Sequence, residues 1–191
     1  MLELNFTPFP TFETERLILR EIQMSDSASL FELRSNPQAM YYLDRLMAKS
    51  VEDAEALIRK FDNLSKTNTA IVWGISLKTD PKLIGTLGYH RIDKENHRAE
   101  IGYMLHPDHW HKGLMKEGVT KVLDYGFRTL GFHSLDGHVN PANQPSIEVL
   151  KRQGFVKEGY FRENIHFDGK FLDTEVYGLI AQGEKELGIG N

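Results

Sequence analysis

The sequence contains no cysteine, and this absence removes several classes of chemistry at once. Without thiols the chain can form no disulfide, offers no thiolate to a metal and has no cysteine nucleophile. Long apolar runs are also missing, since no segment approaches the roughly 20 residues that span a bilayer. The opening residues, MLELNFTPFPTF, lack the basic segment that begins a signal peptide. We therefore expect a cytoplasmic protein without a membrane partner.

An excess of positive charge is missing as well. The chain has 23 Lys and Arg residues against 27 Asp and Glu residues, a formal net charge of -4. No overall field therefore attracts nucleic acid, whereas a cationic substrate is mildly favoured. The chain does contain 191 residues with 40% hydrophobic content, enough for one ordinary core. We expect a single domain over residues 1–191, with its core at about 12–180, present as a monomer or homodimer.

Strand-like and helix-like patterns alternate along the chain without a repeat or a linker. Three successive short strands in the middle of the chain favour an antiparallel meander. The predicted strands cover 16–22, 69–77, 82–90, 98–105 and 134–139, with two more from Phe155 and Thr174; the predicted helices follow Ser25 or Asp26, Ser50, Gly113 (as far as Gly131) and Asn143. This order predicts an α/β protein, a mixed sheet with helices on its faces.

The stretch from His106 to Gly118, HPDHWHKGLMKEG, joins a predicted strand to a predicted helix through a glycine turn. Unpaired backbone N–H groups of residues 112–116 then surround one concavity at the positive end of the helix dipole, which binds phosphate without a metal. Glycine at position 113 lets the chain approach the anion closely, and Lys112 and Lys116 add cationic side chains.

A P-loop is a weaker interpretation of the same stretch. The glycines at 113 and 118 and Thr120 are in place, but Val119 occupies the position of the essential lysine. Because Gly118 also falls inside the periodic helix, the sequence argues against a nucleoside triphosphatase.

A metal site is weaker still. The stretch offers four donors, but their spacing matches no established ligand pattern, and we predict solvated side chains instead of a metal centre. The donors are His106, Asp108, His109 and His111.

Three motifs, in the correct order, resemble those of the GNAT N-acetyltransferases. WHKGLMKEG is similar to their pyrophosphate-binding motif, Q/R-x-x-G-x-G/A, with Gly113 as the central glycine. Asn143-x-x-Ser146, followed by KRQGF, is similar to their N-x-x-S/A helix and its terminal Gly-Phe. Residues 14–20, TERLILR, look like the opening of the RimJ/RimL branch, which acetylates N-terminal amines of ribosomal proteins. The resemblance covers roughly residues 12 to 180.

The resemblance implies the acyl-CoA N-acyltransferase fold, with six to seven mostly antiparallel strands and about four flanking helices, and acetyl-CoA as co-substrate without a metal. The backbone of residues 104–106 is expected to pair with the pantetheine amides like an added strand. Two positions depart from the motif, because His111 stands where the branch often has glycine and Met115 where a small residue is usual. The implied acetyl-CoA contacts are Met104, Leu105, His106, His111, Lys112, Gly113, Leu114, Met115, Lys116, Asn143 and Ser146.

Direct attack of an amine on the thioester is the implied reaction, and the absence of cysteine agrees with a route that has no acyl-enzyme thioester. Glu100 interrupts an apolar strand, with Gly102 beside it on the same face, and matches the strand glutamate that is the base in some GNAT enzymes. A structural carboxylate paired with Arg91 or Arg98 is an equally good interpretation.

The proton donor is less obvious, because Leu150 occupies the position where many GNAT enzymes have tyrosine. Ser146 fits the RimL-like arrangement, in which a serine at a helix terminus faces the thiolate, or it is simply a first-turn hydroxyl. Tyr160 and Tyr177 are reserve candidates.

The acceptor amine is open. An N-terminal amine, with a pKa of about 8, is already partly neutral at pH 7, whereas a lysine near 10.4 needs more help from a base. We therefore predict acetylation of a protein N-terminus, of the kind found on ribosomal proteins. Polyamines or aminoglycosides are alternative acceptors. A catalytically silent acyl-CoA sensor is a third interpretation, because Met115 and Leu150 depart from the motifs.

Overall fold

Residues 1–181 are described by a computed structural model of the protein, in which every strand joins one mixed sheet. The strands are Phe12–Glu13 (β1), Leu17–Arg20 (β2), Ile71–Leu77 (β3), Asp80–Asp93 (β4), Arg98–Leu105 (β5), Ser134–Val139 (β6), Val156–Phe167 (β7) and Lys170–Ile180 (β8). The helices are Ser27–Ser35 (α1), Pro37–Met40 (α2), Val51–Lys66 (α3), Leu114–Asp124 (α4) and Gln144–Arg152 (α5). The order of strands in the sheet is β1-β2-β3-β4-β5-β6-β8-β7. None of the helices in this range has the length and apolar composition needed to cross a bilayer.

The pairing pattern confirms the predicted mixed, mostly antiparallel sheet. β3, β4 and β5 form the expected antiparallel meander. β5 and β6 are parallel, since α4 carries the chain from one to the other, and they pair only from Arg98 opposite Ser134 to Glu100 opposite Asp136. Beyond that point β6 stays paired with β8 while β5 stays paired with β4, so a slot opens between the carboxyl-terminal parts of the two parallel strands.

Each face of the sheet has its own core. α4 packs over one face, where Val119 joins Trp73 and Ile101, and α1 and α3 pack over the other, where Ile58 joins Met104. Adjacent residues of β5 thus enter different cores, which confirms the alternation predicted for this strand. Residues on the Glu100 face lie toward α1 and α3, and those on the Tyr103 face lie toward α4 and α5.

Residues 1–181 contain more elements than predicted, eight strands and five helices instead of six to seven and about four. β1 has only two residues. α2 begins directly after α1, because the side chain of Asn36 accepts hydrogen bonds from the N–H groups of Gln38 and Ala39, with Pro37 in the first turn. The pair Asn36-Pro37 therefore ends one helix and begins the next.

The start of the last strand was predicted wrongly. β8 begins at Lys170, and Asp168 and Gly169 form a two-residue turn between paired Phe167 and Lys170. Both turn residues have positive φ, +48° and +74°, as a type I′ hairpin turn requires. The Asp-Gly pair that favours this turn is readable in the sequence.

The helix predicted to run to Gly131 changes character midway. α4 ends at Asp124 and is followed by a π-helical turn, Tyr125–Thr129. The hydroxyl of Tyr89 donates a hydrogen bond to the carbonyl of Val122, and a Cβ on Gly126 would lie only 2.5 Å from that hydroxyl oxygen. A side chain that enters the helical hydrogen-bond ladder in this way accounts for the wider turn.

We predict that Tyr89→Phe lowers the free energy of unfolding by about 1–3 kcal/mol, because the buried carbonyl of Val122 loses its donor. Urea unfolding measures the effect. Tyr125→Phe is the matched control, because among residues 1–181 its hydroxyl makes no hydrogen bond. Equal losses in the two variants would contradict the role given to the Tyr89 hydroxyl.

Candidate active site

A cavity of about 480 Å³ lies where β5 and β6 separate. Glu100 and Met104 line it from β5, His138 from β6, and Asn143 and Ser146 from the start of α5. Side chains of α1, of the loop after α2 and of the β7–β8 hairpin also line it. The slot between the parallel strands therefore connects the two faces of the sheet within one site.

Glu100 is held by an arginine from the neighbouring strand. Arg91 has φ of +45° at an irregularity of β4, and its Nη1 lies 2.9 Å from Glu100 Oε2. The contact lacks hydrogen-bond geometry, so the buried Oε2 accepts no hydrogen bond from the described residues. Burial raises the pKa of Glu100; His138 and Arg91 oppose that rise and Asp136 adds to it. Arg91 is thus the partner that sequence reasoning named as one of two.

The other named arginine, Arg98, pairs with Asp136 instead. Donor atoms of Glu100, Asp136 and His138 lie within 4.8 Å of one another. Both carboxylates already have an arginine as counter-ion, however, and a cluster balanced in this way is an ion-pair network. The histidines of the glycine turn belong to no such cluster within residues 1–181.

His90 is a cavity residue that sequence reasoning missed. It lies opposite Glu100 in the β4–β5 register, and a Cβ on Gly102 would come 2.9 Å from its Cδ2. Burial, with help from Arg45 and Arg34, lowers the pKa of His90 to about 4, so the imidazole is neutral at pH 7. The signal in the sequence is the glycine at 102, which leaves room for this ring.

Ser146 stands at the start of α5, where Asn143 Oδ1 accepts a hydrogen bond from its N–H at 3.3 Å, as expected for a capping residue. Its Oγ lies 3.0 Å from the hydroxyl of Tyr103, which also donates to the Ser146 carbonyl at 3.1 Å. Burial raises the pKa of Tyr103 well beyond the lowering effect of Ser146, so the phenol keeps its proton. Tyr103 was missed because its strand alternation reads as an ordinary core position.

Other proton donors are less well placed. Leu150 is buried against β6, where a Cβ on Gly137 would lie 3.0 Å from its methyl groups. Tyr160 hydrogen-bonds Asp173, and Tyr177 donates to Glu175 at 2.8 Å, with its pKa raised to about 12 by burial and by that carboxylate. Neither tyrosine lines the cavity.

The glycine turn has the geometry of an anion site. Gly113 caps α4 with φ of +74° and offers no capping side chain. The first helical hydrogen bond runs from the N–H of Glu117 to Gly113, 3.1 Å, so the N–H groups of residues 114–116 precede it and lack helical partners. Leu114 and Met115 point into the core, and the bulky methionine therefore does not fill the concavity.

The side chains around the turn are arranged differently from expectation. Lys112 Nζ donates to the carbonyl of Asp108 at 2.8 Å, so this cation folds back on its own loop. Lys116 is exposed. His111 is exposed too and has φ of +58°, a left-handed conformation that suits glycine, the residue common at this position in the RimJ/RimL branch.

A family model of the acetyltransferase (GNAT) domain matches residues 16–156. The chain belongs to the GNAT acetyltransferase family. The uncharacterized N-acetyltransferase YoaA of Bacillus subtilis is 37% identical over 92% of this chain and 99% of its own. Spermidine N(1)-acetyltransferase of Vibrio cholerae is 25% identical over 84% and 90%. The crystal structure of ribosomal-protein-S5-alanine acetyltransferase from Vibrio fischeri has a TM-score of 0.80 and 26% identity, covering 90% and 96%. The protein is thus an N-acetyltransferase of GNAT type, and enzymes of this fold use acetyl-CoA.

Thr14 and Arg16, from the amino-terminal motif of this GNAT protein, hold the glycine turn in place by hydrogen bonds. Glu117 in α4 accepts hydrogen bonds from the Thr14 hydroxyl and from the backbone N–H and Nε of Arg16, the last two at 2.7 Å. Arg16 Nη1 also donates to the carbonyl of Lys112 at 2.8 Å. Residues far apart in sequence therefore fix the start of α4.

The end of β5 is fixed as well. The N–H of His106 donates to the carbonyl of Ile84 at 2.8 Å, and Trp110 Nε1 donates to the carbonyl of Leu105 at 2.8 Å. These two backbone groups, which were expected to be available to pantetheine, already have partners in the protein. Among the strands of residues 1–181, none pairs with the edge of β5 that faces the slot after Glu100.

We predict that Arg16→Gln lowers the free energy of unfolding at pH 7 by about 1 kcal/mol, a modest value because the side chain is 45% exposed. Burial raises the pKa of Glu117, but the hydrogen bonds from Thr14 and Arg16 outweigh burial, and the net shift is downward. The stabilisation is therefore present above the ordinary glutamate pKa and lost as the pH falls through the lowered folded-state value.

We expect the free energies of unfolding of the wild type and Arg16→Gln to approach each other as the pH falls, and urea unfolding from neutral pH to about pH 3 measures this. Arg128→Gln is the control, since Arg128 is 83% exposed and its ion pair within residues 1–181 is with Asp124, four residues earlier. An Arg16→Gln defect of the same size at every pH would show that Glu117 is not the partner that matters.

Proposed function

We propose that this enzyme transfers the acetyl group of acetyl-CoA directly to a primary amine, most of all to the N-terminal α-amine of a protein. The observation that carries the proposal is the pairing of two proton-handling groups at one slot. The Glu100 carboxylate, with an unsatisfied oxygen, lines the same cavity as the Ser146 hydroxyl, which Tyr103 holds. These groups suit a reaction that removes one proton and returns another.

The residues present fit acetyl-CoA, which supplies the acetyl group as an activated thioester when bound. The free N–H groups of residues 114–116 would hold the pyrophosphate, with Lys116 nearby. Pantetheine would lie along the free edge of β5 near Met104, and Asn143 and Ser146 line the same cavity. The slot between β5 and β6 is the feature that supports this placement.

Glu100 is our candidate for the base. Burial raises its pKa, whereas burial lowers the pKa of the neighbouring His90 to about 4, and these opposite shifts favour the carboxylate as the base. Its negative charge also attracts the ammonium form of an amine. Arg91 and the base role are compatible, because the ion pair leaves the hydrogen-bonding capacity of Oε2 unused.

Ser146 is our candidate for the proton donor to the leaving group. Tyr103, which stays protonated, orients the Ser146 Oγ by a hydrogen bond, and the proton that Ser146 gives to the thiolate is replaced from solvent. We therefore assign Tyr103 a positioning role. The Ser146–Tyr103 pair thus takes the role of the tyrosine that many GNAT enzymes have at the position of Leu150.

The charge of the cavity bears on the acceptor. Arg34, Arg45 and Arg91 line it, and a polyamine would bring further positive charge among them. The names of two relatives point to different acceptors, spermidine and a ribosomal protein. The arginines favour the second kind, and an α-amine with a pKa of about 8 also loses its proton more readily than the primary amines of a polyamine, which resemble lysine.

We predict that peptides with a free N-terminus release CoA from acetyl-CoA with a kcat/KM at least about tenfold above that of spermidine. The assay is thiol release, corrected for hydrolysis, with peptides, spermidine and an aminoglycoside as acceptors. A preference for spermidine would select the polyamine alternative. Tight acetyl-CoA binding without turnover on any acceptor would make the protein a sensor.

We predict that Glu100→Gln lowers kcat/KM by roughly 10² to 10⁴ near neutral pH, because the shape stays and the base is lost. The defect should shrink as the pH rises, since the acceptor amine then arrives neutral. Ser146→Ala should slow the reaction without a comparable rescue by alkali. The pH profiles of both variants on one good acceptor provide the measurement.

Glu148→Gln serves as the control for Glu100→Gln, because Glu148 lies on the solvent side of α5 with its side chain 54% exposed. Near-wild-type rates for folded Glu100→Gln at pH 7, with acetyl-CoA saturating, would exclude Glu100 as the base.

A further inference from the structure

Arg34 is a half-buried cation that faces the cavity without an acidic partner. Its Nη1 lies 3.9 Å from the sulfur of Met104 and 4.0 Å from the sulfur of Met40, and it forms no ion pair with a carboxylate of residues 1–181. Burial, followed by the charge of Arg45, lowers the pKa of Arg34 to about 10. An unpaired cation in partly apolar surroundings is costly, and a ligand carboxylate would offset that cost.

Two arginines near Arg34 form ion pairs with carboxylates. Arg91 pairs with Glu100 and Arg98 with Asp136. Arg45, which is exposed at the mouth of the same cavity, shares with Arg34 the absence of an ion pair in the described part of the chain. The two unpaired guanidinium groups thus lie on the wall formed by α1 and the loop after α2.

The acidic residues of the cavity do not neutralise this wall. Glu100 is engaged by Arg91, and Asp173 is engaged by Tyr160 and by the N–H of Glu163. Asp44 is exposed and makes no ion pair with Arg34 or Arg45. The positive charges of Arg45, Arg34, Arg91 and Lys60 add to burial in lowering the pKa of His90, which lies opposite Glu100 in the β4–β5 register.

We infer that Arg34 and Arg45 form a carboxylate-binding subsite for the acceptor, and that the preferred acceptor is a peptide with an acidic side chain within its first few residues. The inference rests on the proposed function, since it concerns the acceptor of that reaction. Arginine suits this role because its planar fork binds a carboxylate through two hydrogen bonds.

The spacing agrees with an extended peptide. Glu100 and Met104 lie on one face of β5, four residues or about 13 Å apart, and Arg34 contacts the Met104 end. At about 3.5 Å per residue, a chain whose amine lies at Glu100 covers this distance with about four residues, and the length of a glutamate side chain lets the second to fourth residue reach Arg34. The amine and the carboxylate of such a peptide would meet opposite charges at the two ends of the cavity.

The test compares two peptides that differ only by glutamate or glutamine at residues two to four. With the wild-type enzyme, kcat/KM should favour the acidic peptide by about 10- to 100-fold. Arg34→Gln should bring that ratio close to one, and Arg45→Gln, at an exposed position that carries little risk to folding, should reduce it in part. Arg128→Gln should leave the ratio unchanged. No acidic preference in the wild type, or a full preference in folded Arg34→Gln, would overturn the inference.

A binding measurement separates this inference from the proposed reaction. Calorimetry with CoA-saturated protein and the N-acetylated forms of both peptides needs no turnover. Arg34-dependent preference for the acidic peptide, without acetylation of any acceptor, would refute the proposed reaction and support the subsite. Turnover without that preference would support the proposed reaction and refute the subsite. Equal binding of the two peptides, or binding of neither, would also overturn the subsite.

Discussion

The short parallel contact between β5 and β6 is the constraint on which the site depends. The two strands pair over three positions, from Arg98 opposite Ser134 to Glu100 opposite Asp136, and then separate. β4 holds one strand and β8 the other, so neither can close the gap by turning toward its parallel neighbour. The cavity, the free edge of β5 and the position of Glu100 at the point of separation all follow from where this pairing stops.

Two ion pairs stand at that point. Arg91 meets Glu100 and Arg98 meets Asp136, which lets two carboxylates lie close together in a poorly solvated place. The pairs differ in what they leave available, because Glu100 keeps an oxygen without a hydrogen bond. One carboxylate is thus left with unused capacity beside the cavity, and the other belongs to the structure of the sheet.

The net charge of the chain did not predict the charge of the cavity. A formal charge of -4 suggests a mild preference for cationic ligands. The cavity itself brings Arg34, Arg45 and Arg91 together. A sum over the whole surface cannot report this, because screening makes the field at a site depend on the charges within about 10 Å.

Local chemistry in the sequence was sufficient for the mixed sheet, the capped helix after Asn143 and the glycine turn. These features are carried by neighbouring residues, whose periodicity, capping and turn preferences act over a few positions. The GNAT membership, which the family match confirms, came from the resemblance of three motifs. The roles of His90, Tyr103 and Arg34 could not be obtained in this way, since each depends on strand register or on helix packing. Glu100 shows this difference most clearly, because the sequence marked it as a polar residue in an apolar strand but left two arginines as possible partners. Only the tertiary structure decided between Arg91 and Arg98. That choice depends on which side chains the irregular end of β4 and the start of β6 bring into contact.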